Sequence, residues 1–238
     1  MIGIVVPAHN EENHLGACLE SLRRAARCPL LRGEDVLIVV ALDACSDGTE
    51  AIARSQGAVT VSVDARNVGI ARARGTIEAL QRDARWLAFT DADSTVAPNW
   101  ISTQLALCCD AVCGTIEVCD WSEHSEQVRR HHKATYCDRD GHRHIHGANL
   151  GVAASAYRRV GGFQPLGSSA DVALVRALQA HGASIAWSAA PRVVTSARRC
   201  YRPRSVPRRR WTTAEADRRA RWRRKSLRTC RRETDVRP

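Results

Sequence analysis

Length and charge exclude several classes of protein. The chain has 238 residues, enough for one sizeable α/β domain followed by a tail. The formal charge of +11 would suggest nucleic-acid binding if it were spread over the whole chain, but it is concentrated in one part. Residues 1–197 carry 19 Lys and Arg against 21 Asp and Glu, whereas residues 198–238 carry 17 against 4. Because the body is near neutral, it lacks the basic surface that phosphate backbones require. We therefore predict one domain over 1–197 and a separate Arg-rich tail.

The chain shows no membrane or export signal. No stretch approaches the roughly 20 apolar residues that a membrane span needs. The amino terminus, Met1-Ile2-Gly3-Ile4-Val5-Val6-Pro7, lacks the charged segment of a secretory signal. The ten cysteines are scattered along a chain too long for a small disulfide scaffold. We expect a soluble cytoplasmic protein with free thiols.

The first half alternates strands and helices. Apolar runs predict strands at 2–6, 35–42, 59–63 and 86–90, and helices follow Asn10 and cover 50–56 and 70–82. Asn10 is the predicted cap of the first helix. The second run, DVLIVVAL, is typical of a strand covered on both faces. Such repetition predicts a parallel sheet with right-handed crossovers.

The second half is less regular. We predict a helix from Pro98 to about 109, one strand over 111–119, a helix over 170–181 and a last strand over 183–187. Residues 121–146 are polar and rich in histidine, and we assign them no element.

Two carboxylates, Asp91 and Asp93, directly follow the apolar run 86–90. A strand places residues i and i+2 on one side, so both carboxylates can face one hard cation such as Mg²⁺ or Mn²⁺. Ligands of parallel sheets bind beyond the carboxyl ends of the strands. The loops 7–11, 43–47 and 91–93 all fall at such ends, which predicts that they converge on one metal-bound diphosphate.

Six motifs in order along the chain resemble the family 2 glycosyltransferases, inverting enzymes of the GT-A fold. They are Val6-Pro7-Ala8-His9-Asn10-Glu11-Glu12, Leu42-Asp43 through Gly48-Thr49, Asn67-Val68-Gly69 with Ala73-Arg74, Asp91-Ala92-Asp93, His146-Gly147-Ala148-Asn149 with Gly161-Gly162-Phe163, and Ala170-Asp171. The resemblance implies a Rossmann-like α/β fold whose mostly parallel central sheet is flanked by helices. Residues 1–95 would bind the nucleotide sugar and residues 96–197 the acceptor.

The resemblance also implies roles on the donor side. The nucleoside would contact Pro7, Ala8, His9, Glu11 and Asp43, with the His9 ring against the base and the Asp43 carboxylate accepting hydrogen bonds from it. Arg74 would lie near the diphosphate. Asp91 and Ala92 would contact the donor, and Asp93, with Asp91, would hold Mn²⁺ or Mg²⁺. The partners implied are a nucleotide diphosphate sugar and an acceptor hydroxyl of unknown identity.

On the acceptor side, Asp171 matches the general base, which takes the proton of the attacking hydroxyl. The preceding residue is Ala170, where the family usually has Glu, so a catalytically impaired nucleotide-sugar-binding protein is the alternative function. We expect His144, His146 and Asn149 to line the acceptor pocket. A zinc site formed by Cys109, Cys113, His142 and His146 competes with that interpretation, but Cys113 lies in an apolar run, where cysteine is usually a core residue.

The tail contains Arg208-Arg209-Arg210-Trp211 and a second Arg-rich run around Trp222. One interpretation is a peripheral contact with the anionic inner face of a membrane, and a second is nucleic-acid binding through Arg and Trp. A solvated extension, or a C-terminal sequence replaced by a change of reading frame, accounts for the same composition.

Overall fold

The computed structural model describes residues 1–121 and 124–196, and the predictions for the Arg-rich tail concern residues outside these ranges. The strands are β1 (Ile2–Ala8), β2 (Val36–Asp43), β3 (Val59–Val63), β4 (Trp86–Phe89), β5 (Thr95–Val96), β6 (Ala111–Gly114), β7 (Glu117–Asp120), β8 (Leu150–Ala153), β9 (Ile185–Ser188) and β10 (Val193–Ser196). The α-helices are α1 (Leu15–Ala26), α2 (Thr49–Ser55), α3 (Val68–Gln81), α4 (Trp100–Ala106), α5 (Glu126–Thr135), α6 (Ala154–Arg159) and α7 (Ala170–Ala180), and Pro29–Leu31 form a 3₁₀ turn.

The central sheet has seven strands in the order β3-β2-β1-β4-β8-β6-β9. Strands β1 to β4 are mutually parallel, as predicted from the alternation of strands and helices. Strand β8, which was not predicted from the sequence, lies antiparallel between β4 and β6. The carboxyl ends of β2, β1 and β4 therefore lie next to one another along one edge.

Strand β1 separates two hydrophobic layers. Ile2, Ile4 and Val6 pack into the core on one face of the sheet, and Val5 packs into the core on the other, as the two-residue period of a strand requires. Gly3 allows helix α3 to lie close to the second face, because a Cβ at this position would be 2.7 Å from that of Ala79. Both faces are covered by helices, which explains the continuously apolar strands.

A second, three-stranded sheet has the order β5-β10-β7. The single strand predicted over 111–119 is wrong, since β6 and β7 belong to different sheets. Between them, the carbonyl of Thr115 accepts the side-chain N–H of Asn149 instead of a neighbouring strand. The strand predicted over 183–187 corresponds to β9 but is not the last, because β10 follows and reaches the Asp91–Asp93 turn.

The start of the first helix also differs from the prediction. Asn10 adopts a left-handed conformation (φ 53°), and its Oδ1 accepts the backbone N–H of Ser46, so it cannot cap a helix. Helix α1 begins at Leu15. By contrast, Asn67 caps α3, accepting the N–H of Ile70 at 3.1 Å.

Helix α5 lies within the polar stretch to which no element was assigned, and none of its residues is buried. Within 1–121 and 124–196, no helix combines the length and apolar character needed to cross a bilayer.

Candidate functional site

The first two loops at the common edge are joined by hydrogen bonds. His9 Nδ1 lies 2.6 Å from the carbonyl oxygen of Asp43. Further bonds run from the Glu11 N–H to Thr49 Oγ1 (2.8 Å), from the Gly48 N–H to Glu12 Oε2 (2.8 Å) and from the Cys45 thiol to the Ala8 carbonyl (3.4 Å). Pro7 and Ala8 are the last two residues of β1 and directly precede the first of these loops. The loops after β1 and β2 thus form one preorganised rim.

The Asp43 carboxylate accepts three backbone hydrogen bonds. It is buried, and it accepts the backbone N–H groups of Ala65 and Arg66 at Oδ1 (2.8 Å each) and of Asn67 at Oδ2 (2.6 Å). A carboxylate has about four lone-pair positions. The structural role of Asp43 is therefore to hold the turn before α3, and the predicted contact with a base would fall to the remaining position on Oδ2.

The two carboxylates of the Asp91–Asp93 motif lie on a turn rather than on a strand. Strand β4 ends at Phe89, and the Ser94 N–H bonds to the Asp91 carbonyl at 3.1 Å. Ala92 is buried in the core, so its side chain cannot line a donor pocket. The prediction that Asp91 and Asp93 follow the two-residue period of a strand is therefore wrong, yet the turn still leaves both carboxylates half-buried at the same edge.

Asp93 contacts the second sheet. Ser94 Oγ lies 3.3 Å from Asp93 Oδ1 and donates to Thr195 Oγ1 at 2.8 Å, and Thr195 Oγ1 lies 3.5 Å from the same carboxylate oxygen. Thr195 belongs to β10, about a hundred residues away in the chain. The two hydroxyls fix one side of the Asp93 carboxylate.

The arginine beside this motif is Arg72, whereas the resemblance implied a cation near the diphosphate at Arg74. Arg72 Nη2 lies 2.7 Å from Asp91 Oδ1, and the Arg72 side chain is only 6% exposed. Arg74 is exposed, because two residues of an α-helix rotate a side chain by about 200°. Burial raises the pKa of Asp91, and the charge of Asp93 acts in the same direction, while Arg72 opposes both.

Asp171 lies in the first turn of α7. Its Oδ2 accepts the backbone N–H of Gly147 at 2.8 Å, and its Oδ1 accepts that of Val172 at 2.9 Å. The negative charge of Asp171 adds a small contribution to the raised pKa of Asp91, which is due mainly to burial. Ala170, which stands where the family usually has Glu, is fully buried.

His144 and His146 lie on a wall of stacked rings. The His144 ring lies 4.3 Å from that of Tyr136, nearly parallel to it, and 5.8 Å from that of His146. His146 Nε2 lies 3.0 Å from the Tyr136 hydroxyl. Burial lowers the pKa of His146 to about 4, with the charge of His144 adding to the effect, so this ring is neutral at pH 7.

Asn149 does not line an acceptor pocket. It is fully buried, and its Nδ2 donates to the carbonyls of Thr115 (2.6 Å) and Pro191 (2.8 Å) while its Oδ1 accepts the Trp100 indole N–H (2.9 Å). Both amide hydrogens are used. Asn149 instead links three segments of the fold, which corrects the sequence-based assignment.

The donor set suits a hard divalent cation bound together with a phosphate ligand. Asp91 and Asp93 supply carboxylate oxygens, although one oxygen of Asp91 is bound to Arg72. Among the described residues, no group of three or more His, Cys, Asp or Glu side chains is arranged to hold a metal alone. Mg²⁺ commonly binds to one or two carboxylates and completes its shell with substrate phosphates and water. The residues therefore fit such an ion.

Sequence reasoning missed three residues of this site: Arg72, Gly147 and Thr195. The dipeptide Ala-Arg occurs at 71–72 and again at 73–74, so the helical face alone distinguishes the two arginines. Gly147 lies in the motif His146-Gly147-Ala148-Asn149, but nothing in the sequence assigned it a role. Thr195 carries no local signal, because only the pairing of β10 with β5 brings it to Asp93.

Comparison with known proteins gives a family match and a fold. The family model for glycosyl transferase family 2 matches residues 3–160, about two thirds of the chain. None of the curated proteins compared matches this chain.

Solved structures match with TM-scores near 0.6. TarS 1–349 from S. aureus in complex with UDP-GlcNAc has a TM-score of 0.65 at 14% identity, covering 87% of this chain and 61% of that one. The mannosyltransferase PcManGT from Pyrobaculum calidifontis, in complex with GDP-Man and Mn²⁺, scores 0.59 at 18% identity (83% and 57%). Glucosyl-3-phosphoglycerate synthase from Mycobacterium tuberculosis, in complex with Mn²⁺, UDP and glucosyl-3-phosphoglycerate, scores 0.59 at 20% identity (85% and 73%). The chain spans about 60% or less of the length of the TarS structures. These similarities confirm the GT-A fold.

Proposed function

Because the chain belongs to glycosyl transferase family 2, we propose that it transfers one sugar from a nucleotide diphosphate sugar to an acceptor hydroxyl with inversion at the anomeric carbon. The observation that carries this proposal is a chain of contacts between the Asp91–Asp93 turn and Asp171, which are about 80 residues apart in sequence: Asp91 pairs with Arg72, Arg72 lies against Gly147, and the Gly147 N–H bonds to Asp171. Solved structures of the same fold, TarS and PcManGT, contain UDP-GlcNAc and GDP-Man.

The donor would bind against the rim formed by the first two loops. Pro7, Ala8, His9 and Glu11 would surround the nucleoside, and Asp43 would shape its pocket by holding the 65–67 turn. The hydrogen bonds between the loops support this assignment, because a preorganised pocket loses little entropy on binding. Asp91 would contact the ribose or the cation through Oδ2.

Asp171 would act as the general base. Its carboxylate takes the proton from the acceptor hydroxyl as that oxygen attacks the anomeric carbon, and the bond from this carbon to the diphosphate oxygen breaks. The new bond forms on the face opposite the departing group, which gives inversion. The Gly147 N–H holds Oδ2 of Asp171, so its lone pairs keep a fixed direction. The neutral ring of His146, the residue that precedes Gly147, would line the acceptor side of the site.

Asp93, helped by Asp91, would hold Mn²⁺ or Mg²⁺. When bound, such a cation neutralises the negative charge that develops on the leaving nucleoside diphosphate. The hydroxyls of Ser94 and Thr195 contact Asp93 Oδ1 and would orient the carboxylate for this role.

The test is to measure transfer and donor hydrolysis over a panel of UDP and GDP sugars with Mn²⁺, Mg²⁺ or chelator, and to assign the product anomer by NMR. We expect turnover that requires the cation, gives the inverted anomer and is lost in Asp93→Ala and Asp171→Ala. Retention of configuration, or wild-type rates in either variant, would contradict the assignment. Nucleotide binding without turnover for any donor would support the impaired binding protein instead.

A further inference from the structure

Arg72 is a buried charge at the centre of the site. It projects from α3 beneath the Asp91–Asp93 turn with 6% of its side chain exposed, and its Nη2 forms the ion pair with Asp91 Oδ1. Its Nε has no hydrogen-bond partner among the described residues. An incompletely paired buried guanidinium is costly, and replacing such a pair with apolar residues is often neutral or stabilising. Stability alone is therefore a poor reason for an arginine at this position.

The guanidinium is held between two surfaces. Its Cζ lies 5.8 Å from the centre of the Phe163 ring, within the range of a cation–π contact. On another side it lies against the backbone of Gly147, where a Cβ would be only 2.1 Å from Nη2. Gly147 does not have a positive φ, so glycine is needed here for space rather than for backbone conformation.

The same Gly147 donates its N–H to the proposed base, Asp171. One glycine thus contacts the arginine that orients Asp91 and also bonds to the carboxylate that would take the acceptor proton. The contacts run in a line from Asp91 through Arg72 and Gly147 to Asp171. They join the donor half of the site to the acceptor half.

On the basis of the proposed function, we infer that Arg72 is a positioning residue: it turns Asp91 so that Oδ2 faces the donor, and it fixes the position of Gly147, whose N–H holds Asp171. Arg72 itself takes no proton and is not assigned a contact with the reacting atoms. The size of Gly147 is part of this arrangement, because any side chain there would displace the guanidinium. Displacement by about 1 Å is enough to reduce a catalytic rate by about 10²-fold.

The experiment compares Arg72→Ala, Arg72→Lys and Gly147→Ala with two matched controls. Arg74→Ala removes the exposed arginine of the second Ala-Arg dipeptide, and Gly167→Ala adds a methyl group whose nearest neighbour is 3.9 Å away. Each variant is assayed for kcat, for the acceptor KM, and for Mn²⁺ affinity in the presence of UDP or GDP, by the EPR signal of free Mn²⁺. Guanidinium chloride at millimolar concentration is added to test chemical rescue.

We expect kcat to fall by about 10²-fold in Arg72→Ala and Gly147→Ala, with the acceptor KM little changed. Arg72→Lys should fall less. Mn²⁺ affinity in Arg72→Ala should be equal to or greater than that of the wild type, because a positive charge beside Asp91 has been removed. Guanidinium should restore part of the rate of Arg72→Ala, where it fills the vacated space, but not that of Gly147→Ala.

Three results would overturn the inference. The first is a wild-type kcat in Arg72→Ala, and the second is an Arg72→Ala protein that loses both kcat and Mn²⁺ affinity and is not rescued by guanidinium. The third is a larger loss of kcat in Arg74→Ala than in Arg72→Ala. The first and third would leave the proposed function intact as long as the wild-type protein transfers sugar. A wild-type protein that binds Mn²⁺ and nucleotide without turnover contradicts the proposed function separately.

Discussion

Asp171 accepts the backbone N–H of Gly147 at 2.8 Å, and this bond fixes the start of helix α7 against the loop that leads into β8. The bond defines the orientation of a carboxylate that has no cationic partner in an ion pair among the described residues. A carboxylate held in this way presents its remaining lone pairs to an incoming proton along a fixed direction. A substitution of Asp171 can therefore keep the hydrogen bond to Gly147 while it removes the group that takes the proton.

Asp171→Asn can keep the bond from the Gly147 N–H at its amide oxygen, but it loses the bond from the Val172 N–H and the ability to take a proton. We expect kcat to fall by about 10²- to 10⁴-fold, with donor affinity nearly unchanged and the free energy of unfolding lowered by only about 0.5–1.5 kcal/mol. Calorimetric binding of the nucleotide and urea denaturation measure the two controls. An Asp171→Asn protein that turns over at the wild-type rate would eliminate Asp171 as the base.

Asp43→Asn tests the structural role of that carboxylate. The amide group can accept hydrogen bonds only at its oxygen, so one of the N–H groups of residues 65–67 would face the new NH₂ group. We expect the free energy of unfolding to fall by about 1–3 kcal/mol, measured by urea denaturation. Asp64→Asn, at an exposed position of the same loop, is the matched control. Equal effects of the two substitutions would refute this role.

Asn149→Asp should be far more harmful than a substitution in a pocket wall. A carboxylate there would face the carbonyl oxygens of Thr115 and Pro191 without the hydrogens that now bridge them. The expected cost is about 3–5 kcal/mol, as for an unpaired buried charge, and it should diminish at low pH as the carboxyl group is protonated. The exposed Asn13→Asp is the control. A change in the acceptor KM without loss of stability would restore the original assignment to the acceptor pocket.

The lowered pKa of His146 predicts that the free energy of unfolding decreases at acid pH. Its pKa of about 4 lies below the usual value of 6.5, so the unfolded chain binds a proton more readily than the native state does. Native stability should therefore fall as the pH drops from 6.5 to about 4, with a slope of up to about 1.4 kcal/mol per pH unit from this group. His146→Gln should reduce the slope, whereas the exposed His181→Gln should not. Identical slopes in all three proteins would contradict this origin.

The sequence sufficed for the part of the fold that depends on local pattern. Strands β1 to β4 are apolar runs bounded by polar turns, and their parallel pairing follows from the helices between them. The split between β6 and β7 was not predictable, because it depends on a hydrogen bond from Asn149, far away in the chain. The exposed helix α5 has no buried residue to give it an apolar stripe.

The site shows the same division. The loops that follow β1, β2 and β4 could be placed at one edge from the strand order alone, and the structure brings their residues there. Arg72 could not be chosen over Arg74, because the choice depends on which face of α3 meets the sheet. Asn149 and Ala92 were assigned to pockets by motif, yet both side chains are buried in the structure.

The central claim is that the common edge binds a sugar nucleotide through a divalent cation held by Asp93. Calorimetric titration of UDP and GDP sugars, with Mn²⁺ and with chelator, measures this directly in the wild-type protein and in Asp93→Asn. We predict saturable 1:1 binding of a sugar nucleotide to the wild type in the presence of Mn²⁺. Chelation should weaken this affinity by at least about tenfold, or about 1.4 kcal/mol, and the Asp93→Asn substitution should weaken it to the same degree. Binding unaffected by both changes, or no binding of any sugar nucleotide, would contradict the claim.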